Sequence, residues 1–350
     1  MNIISARSPY QVIVNEALQT GSKVELFIWN KGTTEPTIAS TVLSKNIPST
    51  TQTENNYNIS PYILEYITQI APVAVTTPTV ESNTNWCFVR IKRYKNVSGT
   101  YTLLDNVLYV GLNAYTDVIS GYNFDFGDDA VLLGESFKIQ YYNTIPYYNF
   151  LCDRQIDQSY LVSYYNSSNT LISSNTFLTS GAFEIYNFKI PLAVTGSVKC
   201  IIENSSENIS FLIETEKLEE CKYTPVNCSF VNKKGGWQQL TFFKAQSNSV
   251  NVKGTEYSLM QQNVNYNYQL GQKKLFNING TQTVKLNTGW VYENYNELIT
   301  QLLLSDTILL NGLPVTLKTQ SLTYKTNILD KNINFEIEFE YSNSLINNLV

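Results

Sequence analysis

The chain has 350 residues and a formal net charge of −5, with only 15% charged residues and no histidine. The acidic balance excludes a nucleic-acid binder built on a basic stripe. The missing histidine excludes Ser-His-Asp and Cys-His nucleophiles and Cys-His zinc sites. Polarity rests instead on Asn, Ser, Thr, Gln and 25 tyrosines, a composition that favours sheet and suits surfaces covered by other protein.

This length predicts two or three domains, each with its own core. The five cysteines (Cys87, Cys152, Cys200, Cys221 and Cys228) form no CxxC pair, and the odd, scattered set reads as reduced, buried small hydrophobes made in a cytoplasm. Met1 to Tyr10 has no apolar h-region and no run of about 18 apolar residues exists, so neither a signal peptide nor a membrane span is expected.

In chain order, extended segments are predicted at Tyr10–Asn15, Val24–Asn30 and Ile38–Leu43, followed by a loop over Ile47–Asn58. In the second of these, Val24, Leu26 and Ile28 share one face while Phe27 and Trp29 share the other. Ser60 as N-cap and Pro61 at N1 open a helix whose stripe is Tyr62, Ile63, Tyr66, Ile67 and Ile70, ended by Ala71-Pro72. Strands resume at Trp86–Tyr94, Tyr101–Leu104 and Val107–Leu112. Lys92, Arg93 and Lys95 read as a solvated strand end. Residues 1–122 thus read as a sandwich-like domain with one short helix.

A turn-rich linker, Tyr122–Asp129, leads to strands at Ser136–Tyr142, Gln158–Asn166, Thr170–Phe177, Ala182–Ile190, Ser197–Glu203 and Asn208–Glu214. Their spacing predicts a second sandwich over 123–220. A boundary near Leu218–Pro225 opens an α+β domain over 221–350. There Val226–Asn232 and Gln238–Ala245 flank the hairpin Lys233-Lys234-Gly235-Gly236, and an Asn/Gln-rich loop is expected across Tyr257–Tyr268. Asn279-Gly280 predicts a type I′ turn between Leu275–Ile278 and Thr281–Leu286. A helix over Glu293–Leu304 presents Tyr295, Leu298, Ile299, Leu302 and Leu303 on one face. Asn311-Gly312 predicts a second hairpin between Thr307–Leu310 and Leu313–Thr319. Ile333–Tyr341 alternates Ile, Phe, Ile, Phe and Tyr with Asn and three Glu, the mark of a half-buried strand. The fold class is therefore mainly β: tandem sandwich-like domains followed by a small α+β domain.

Candidate sites weigh against chemistry. Asp125-Phe126-Gly127-Asp128-Asp129 has the residues of a turn and lacks the ligand offsets of a calcium loop. Lys233-Lys234-Gly235-Gly236 precedes a strand, whereas a phosphate cradle opens a helix. Glu214, Glu216, Glu219 and Glu220 are not spaced to span a sugar ring. Neither catalytic residues nor a cofactor or metal site is assigned. The pairs Tyr141-Tyr142, Tyr147-Tyr148 and Tyr164-Tyr165 should each put one ring in the core and one outward. The outward rings Tyr142, Tyr148 and Tyr165, with Trp237 and Phe243 at the later hairpin, are the candidate subunit-interface residues.

Three stretches carry a resemblance. Ser5-Ala6-Arg7-Ser8-Pro9-Tyr10, Lys23 to Trp29 and Asn58-Ile59-Ser60-Pro61-Tyr62-Ile63 resemble the N-terminal domain of virion proteins from tailed phages of Bacteroidetes hosts, the crAss-like group included. Phe230 to Gln238 with Leu240 to Lys244 is similar to a hairpin in the same proteins. So is Asn277 to Thr281 through the helix and on to Val315. The likeness spans both ends and matches Asp128 to Glu214 poorly, and it offers no catalytic residues to transfer. It implies a tail or neck component of the virion, made in the host cytoplasm and assembled as a ring of copies beside adjacent tail proteins. Two other functions are weighed: a carbohydrate-recognising tail adhesin that uses exposed tyrosines, and a wall-degrading enzyme, which the missing histidine and carboxylate pair disfavour.

Overall fold

The fold is given by a computed structural model, which describes residues 1–48, 53–71, 73–127, 130–135, 137–154, 159–178, 184–204, 208–260, 267, 269, 271–321, 323 and 333–347. It is mainly β. In chain order β1 (Ile3–Ser5), β2 (Gln11–Asn15), β3 (Gly21–Trp29), β4 (Thr41–Asn46) and β5 (Glu54–Asn58) precede helix α1 (Ser60–Tyr66). Next come β6 (Thr79–Val80), β7 (Trp86–Val97), β8 (Thr100–Leu112), β9 (Ala130–Leu133), β10 (Ile139–Tyr141) and β11 (Tyr147–Arg154). The series continues with β12 (Ser159–Tyr165), β13 (Leu171–Leu178), β14 (Glu184–Pro191), β15 (Lys199–Asn204) and β16 (Ile209–Lys217). The last part holds β17 (Val226–Val231), β18 (Trp237–Phe242), β19 (Ser247–Ser258), β20 (Lys273–Asn287), α2 (Tyr295–Leu303), β21 (Ile308–Leu310), β22 (Leu313–Leu317) and β23 (Glu336–Tyr341).

The chain divides into two compact units: Met1–Glu219 with Ser229–Leu240, and Glu220–Cys228 with Thr241–Val350. The expected boundary at 122 therefore does not separate compact units, and the packing says why. Sheet β1-β8-β7-β3-β4 has two apolar faces. One, formed by Val24, Leu26, Ile28, Cys87, Val89 and Ile91, packs with Val12 and Val14 of β2, Tyr57 of β5 and Ile63 of α1. The other presents Phe27, Trp29, Trp86 and Phe88 to Val131, Leu133, Leu151 and Ile185, which belong to the sheet β6-β14-β11-β9. That second sheet turns its far face, with Ala130, Phe150 and Phe188, toward Tyr160, Val162, Cys200, Ile202 and Ile213 of the sheet β10-β16-β15-β12-β13. The layers are stacked one on the next, so two sheets are covered on both sides.

Each of the two five-stranded sheets is antiparallel except at one edge. There β1 pairs in parallel with β8 (Ile3 opposite Val110), and β10 in parallel with β16 (Ile139 opposite Thr215).

Several expectations give way. Helix α1 stops at Tyr66, with Ile67 already extended, and both Tyr66 and Ile70 are exposed. The residue at the N-cap position is Ile59. The Ser60 hydroxyl instead donates to the Ser8 carbonyl at 2.5 Å and accepts from the Tyr10 N–H at 2.8 Å, tying the opening segment to the helix start. The loop expected over Ile47–Asn58 contains β5, and Tyr101 to Leu112 is continuous within β8.

In the second unit Asn279-Gly280 is no turn. β20 runs straight through it, with Asn279 opposite Lys253 and Gly280 opposite Val252 of β19. The left-handed residue is Asn277 (φ 51°), at a register shift where Gly254 faces two β20 residues, a bulge in place of a hairpin loop. The Asn279 amide is used sideways: it donates to the Ile346 carbonyl at 3.0 Å and accepts from the Ile346 N–H at 3.1 Å. Asn311-Gly312 does turn a hairpin, with φ of 47° and 84°. On α2, Tyr295, Leu298, Ile299 and Leu302 are buried. In β23, Ile337 and Phe339 are buried between half-buried or exposed glutamates. Most of the loop expected across Tyr257–Tyr268 lies outside the described residues.

At the hairpin joining β17 to β18, Asn232 is fully buried; its side-chain carbonyl accepts from the N–H groups of Lys234 and Gly236, both at 3.0 Å. A Cβ on Gly236 would lie 2.4 Å from the Leu133 carbonyl oxygen and 2.7 Å from the Leu133 Cβ. Gly236→Ala is therefore expected to cost about 1–3 kcal/mol through overpacking. A fall in Tm by differential scanning calorimetry checks it, and an unchanged Tm refutes the close approach.

Candidate functional site

The candidate interface residues separate by burial. Tyr148, Trp237 and Phe243 are 1%, 1% and 4% exposed, so these three serve the core of their own chain, a correction to the expected outward placement. The reason for Tyr148 is the stacking of sheets. β11 lies between two covered faces, so alternation sends Tyr147 and Tyr148 into two different interiors, and neither meets solvent. The Tyr148 hydroxyl donates to the Glu135 carbonyl at 2.9 Å and accepts from the Gln238 amide at 2.7 Å. Tyr142 and Tyr165 are half-buried, beside the buried rings of Tyr141 and Tyr164.

Two hollows open on the first unit. A cleft of about 240 Å³ is bordered by Tyr10, Gln11, Arg93, Asp105, Tyr109 and Asn123. β7 and β8 set Arg93 directly opposite Asp105, and the guanidinium Nε lies 2.9 Å from each carboxylate oxygen. Arg93 Nη1 also donates to the Ile13 carbonyl at 2.7 Å, so the cation is held flat along the wall. Tyr10 and Tyr109 meet edge to face at 5.8 Å. Burial, followed by the charge and hydrogen bond of Tyr109, pushes the Tyr10 phenol well above its ordinary value, so it stays protonated at neutral pH. The second hollow, about 520 Å³, lies between Tyr141, Ile145, Val194, Gly196, Glu216 and Lys217. Among the described residues each hollow has a single carboxylate in its lining: Asp105 in one, and Glu216, 3.1 Å from Lys138, in the other. Hydrolysis of a glycosidic bond by two facing carboxyls has no counterpart in either.

A group of polar side chains gathers on the buried Glu81. Glu81, 3% exposed, accepts on Oε1 from the amides of Asn83 and Asn85, both at 2.9 Å, and on Oε2 from the amide of Asn149. The Lys189 ammonium lies 3.3 Å from the same carboxylate. With both carboxylate oxygens engaged, this cluster fixes strands, and only Asn83 at its margin is half-buried. The carboxylates singled out from sequence lie apart from it. Asp125 accepts from the N–H groups of Ile3 and Gly127, as a turn residue does, while Asp128 and Asp129 lie outside the described residues. Glu220 takes the Lys244 ammonium at 3.0 Å.

No two cysteines are bonded. Cys221 is exposed, against expectation, and the other four are buried. Burial pushes the Cys87 and Cys200 thiols up to about 12 and raises those of Cys152 and Cys228 as well. Protonated and enclosed, these four are not nucleophiles at neutral pH. A disulfide-exchange reagent is expected to titrate one thiol in the native chain and five after denaturation; rapid reaction of a second thiol would refute the packing. The same shifts set an alkaline limit. Between the ordinary thiol value of 9.0 and about 12, the unfolded chain has released protons that folded Cys87 and Cys200 retain. Stability therefore falls as pH rises through that window, by about 1.4 kcal/mol per pH unit for each thiol, and urea midpoints at stepped pH report it.

Among the described residues no group of three or more Cys, Asp or Glu could hold a metal ion, and no helix is long and apolar enough to cross a membrane. Comparison with protein-family models and with curated proteins finds no match to this chain.

Proposed function

We propose that this chain is a structural subunit of a bacteriophage virion, a tail or neck ring component that works by symmetric packing against copies of itself and adjacent tail proteins. The observation that carries the reading is where the chemistry lies: four of the five thiols and the Glu81 carboxylate are enclosed, while open strand edges and Tyr- and Asn-containing surface remain outside. Interfaces are poor in charge and rich in aromatic groups, as this chain is. Low-charge edges are safe only when covered. In this reading the tandem sandwich-like layers serve as a rigid body, Tyr142 and Tyr165 border contacts, and the protein is no enzyme. Mass spectrometry of purified particles tests it: the chain is expected at a fixed stoichiometry, and its absence from particles refutes the reading.

A second reading, a carbohydrate-recognising tail adhesin, is favoured by the cleft at Tyr10 and Tyr109, where aromatic edges adjoin Arg93, Asp105 and Asn123. Glycan-array binding by the isolated chain, lost on Tyr109→Ala, would support that reading over the first.

A further inference from the structure

The β19–β20 ribbon is exposed beyond what a folded chain leaves bare without use. All twelve residues of β19 are exposed, as are Lys273–Ile278 of β20. Within β20, β23 pairs with Thr283–Asn287, so among the described residues β19 is the sole strand beside β20 from Lys273 to Gln282, and none lies on the far edge of β19. An isolated two-stranded ribbon is marginal in water. This one nonetheless exposes Val250 (54%), Val252 (65%), Leu275 (57%) and Phe276 (45%). Scattered apolar residues are ordinary on a surface; four on one ribbon with an open backbone edge form an interaction element.

Charge identifies the occupant. Across residues 247–279 the charged groups are Lys253, Lys273 and Lys274 against Glu256 alone, a net of +2. The whole chain carries −5, so the remainder carries −7. Lys273 pairs with Glu256 at 3.0 Å and Lys253 also faces the charge of Glu340 in its own chain, which leaves the surplus chiefly on Lys274. A positive ribbon laid on another ribbon would oppose like charges, whereas laid on the acidic remainder of an identical chain it meets the opposite sign. We infer that the β19–β20 ribbon is an arm that docks on the body of a second copy of this chain, by burial of the face that carries Val250, Val252 and Leu275 and strand addition at the β19 edge. The contact is head-to-tail, the kind that closes into rings. This inference rests on the reading of the chain as a ring subunit and names the element that joins neighbours.

The test uses the full chain in sedimentation velocity over a concentration and salt series. Self-association is expected, weakening as salt rises. Val252→Asp with Leu275→Asp should weaken it at least about tenfold, a change of about 1.4 kcal/mol. Both side chains are exposed, so the circular dichroism melt should be unchanged. A photo-crosslinker at position 275 should give a product of twice the chain mass. A chain that stays monomeric at every concentration, a double variant that associates as before, or crosslinking only within one chain would each overturn the arm. So would binding of the ribbon to anionic lipid vesicles in place of self-association. These outcomes are separate from the ring reading, which fails only if the chain is missing from purified particles.

Discussion

Glu81→Leu is expected to lower the stability of the chain by about 3–5 kcal/mol, the cost of leaving a buried charge without its partner. Lys189 is only 9% exposed and its ammonium lies 3.3 Å from the Glu81 carboxylate. Removing that carboxylate also strands the amide donors of Asn85 and Asn149, each of which would lose an acceptor out of water, and frees that of the half-buried Asn83. The backbone N–H of Glu81 donates to the Asn187 carbonyl at 2.7 Å, so the segment after β6 is anchored to β14 by main chain as well as side chain. Lys189→Met alone should also destabilise. The double variant should recover part of the loss, because no lone charge remains, and the cycle of four chains isolates the coupling. Urea unfolding measures it. A single-variant loss under about 1 kcal/mol, the range of solvent-screened pairs, would mean that water reaches the cluster.

A loss of similar size, about 3–5 kcal/mol, is expected for Phe150→Ala. Phe150 is fully buried, with Tyr160, Phe177 and Phe211 around it at ring-centre distances of 5.2, 5.9 and 5.8 Å, all edge to face. Truncation removes the hub of that cluster and leaves a cavity that β-sheet neighbours cannot close. Phe150→Leu keeps an apolar body in the site and should lose less. Phe276→Ala on the exposed arm is the internal control, expected within about 0.5 kcal/mol. Thermal and urea unfolding of the three chains rank them. Equal losses for Phe150→Ala and Phe276→Ala would refute the burial assigned to Phe150.

Where one face of an element is wet, its residues announced it. Ile337 and Phe339 alternate with glutamates, Tyr295, Leu298, Ile299 and Leu302 recur at helical spacing, and Asn311-Gly312 turns a hairpin where the local rule puts it. Strands enclosed on both faces have no such alternation. Ala130–Leu133 and Tyr147–Arg154 escape the pattern because AVLL has no polar side to mark the pleat, and in YYNFLCDR the side with Asn149 and Asp153 is buried like the other. β19 was missed for the opposite reason: SNSVNVKGTEYS is exposed on both sides and shows no apolar period. Asn279-Gly280 misled because a local turn preference lost to a partner strand that continues past it. The tyrosine pairs misled at Tyr148 because sheet stacking, a long-range property, decides which side of a strand is outside. The cleft gathers Tyr10, Arg93, Tyr109 and Asn123 from distant segments, and only the cross-strand register of Arg93 and Asp105 could have hinted at it. Glu81 stood alone in a Thr- and Pro-containing stretch, with nothing nearby in sequence to mark it as the centre of a cluster.

The parallel edges of the two five-stranded sheets impose a timetable on synthesis. Ile3–Ser5 leaves the ribosome early, yet its lateral neighbour, Val110–Leu112, is made more than a hundred residues later; Ile139–Tyr141 likewise waits for Thr215–Lys217. Neither sheet can be finished until its last-made strand emerges, and closing such distant contacts is slow. Nascent chains of intermediate length would therefore carry sticky, half-built layers, and the yield of folded protein should depend on how quickly translation passes those two closing strands.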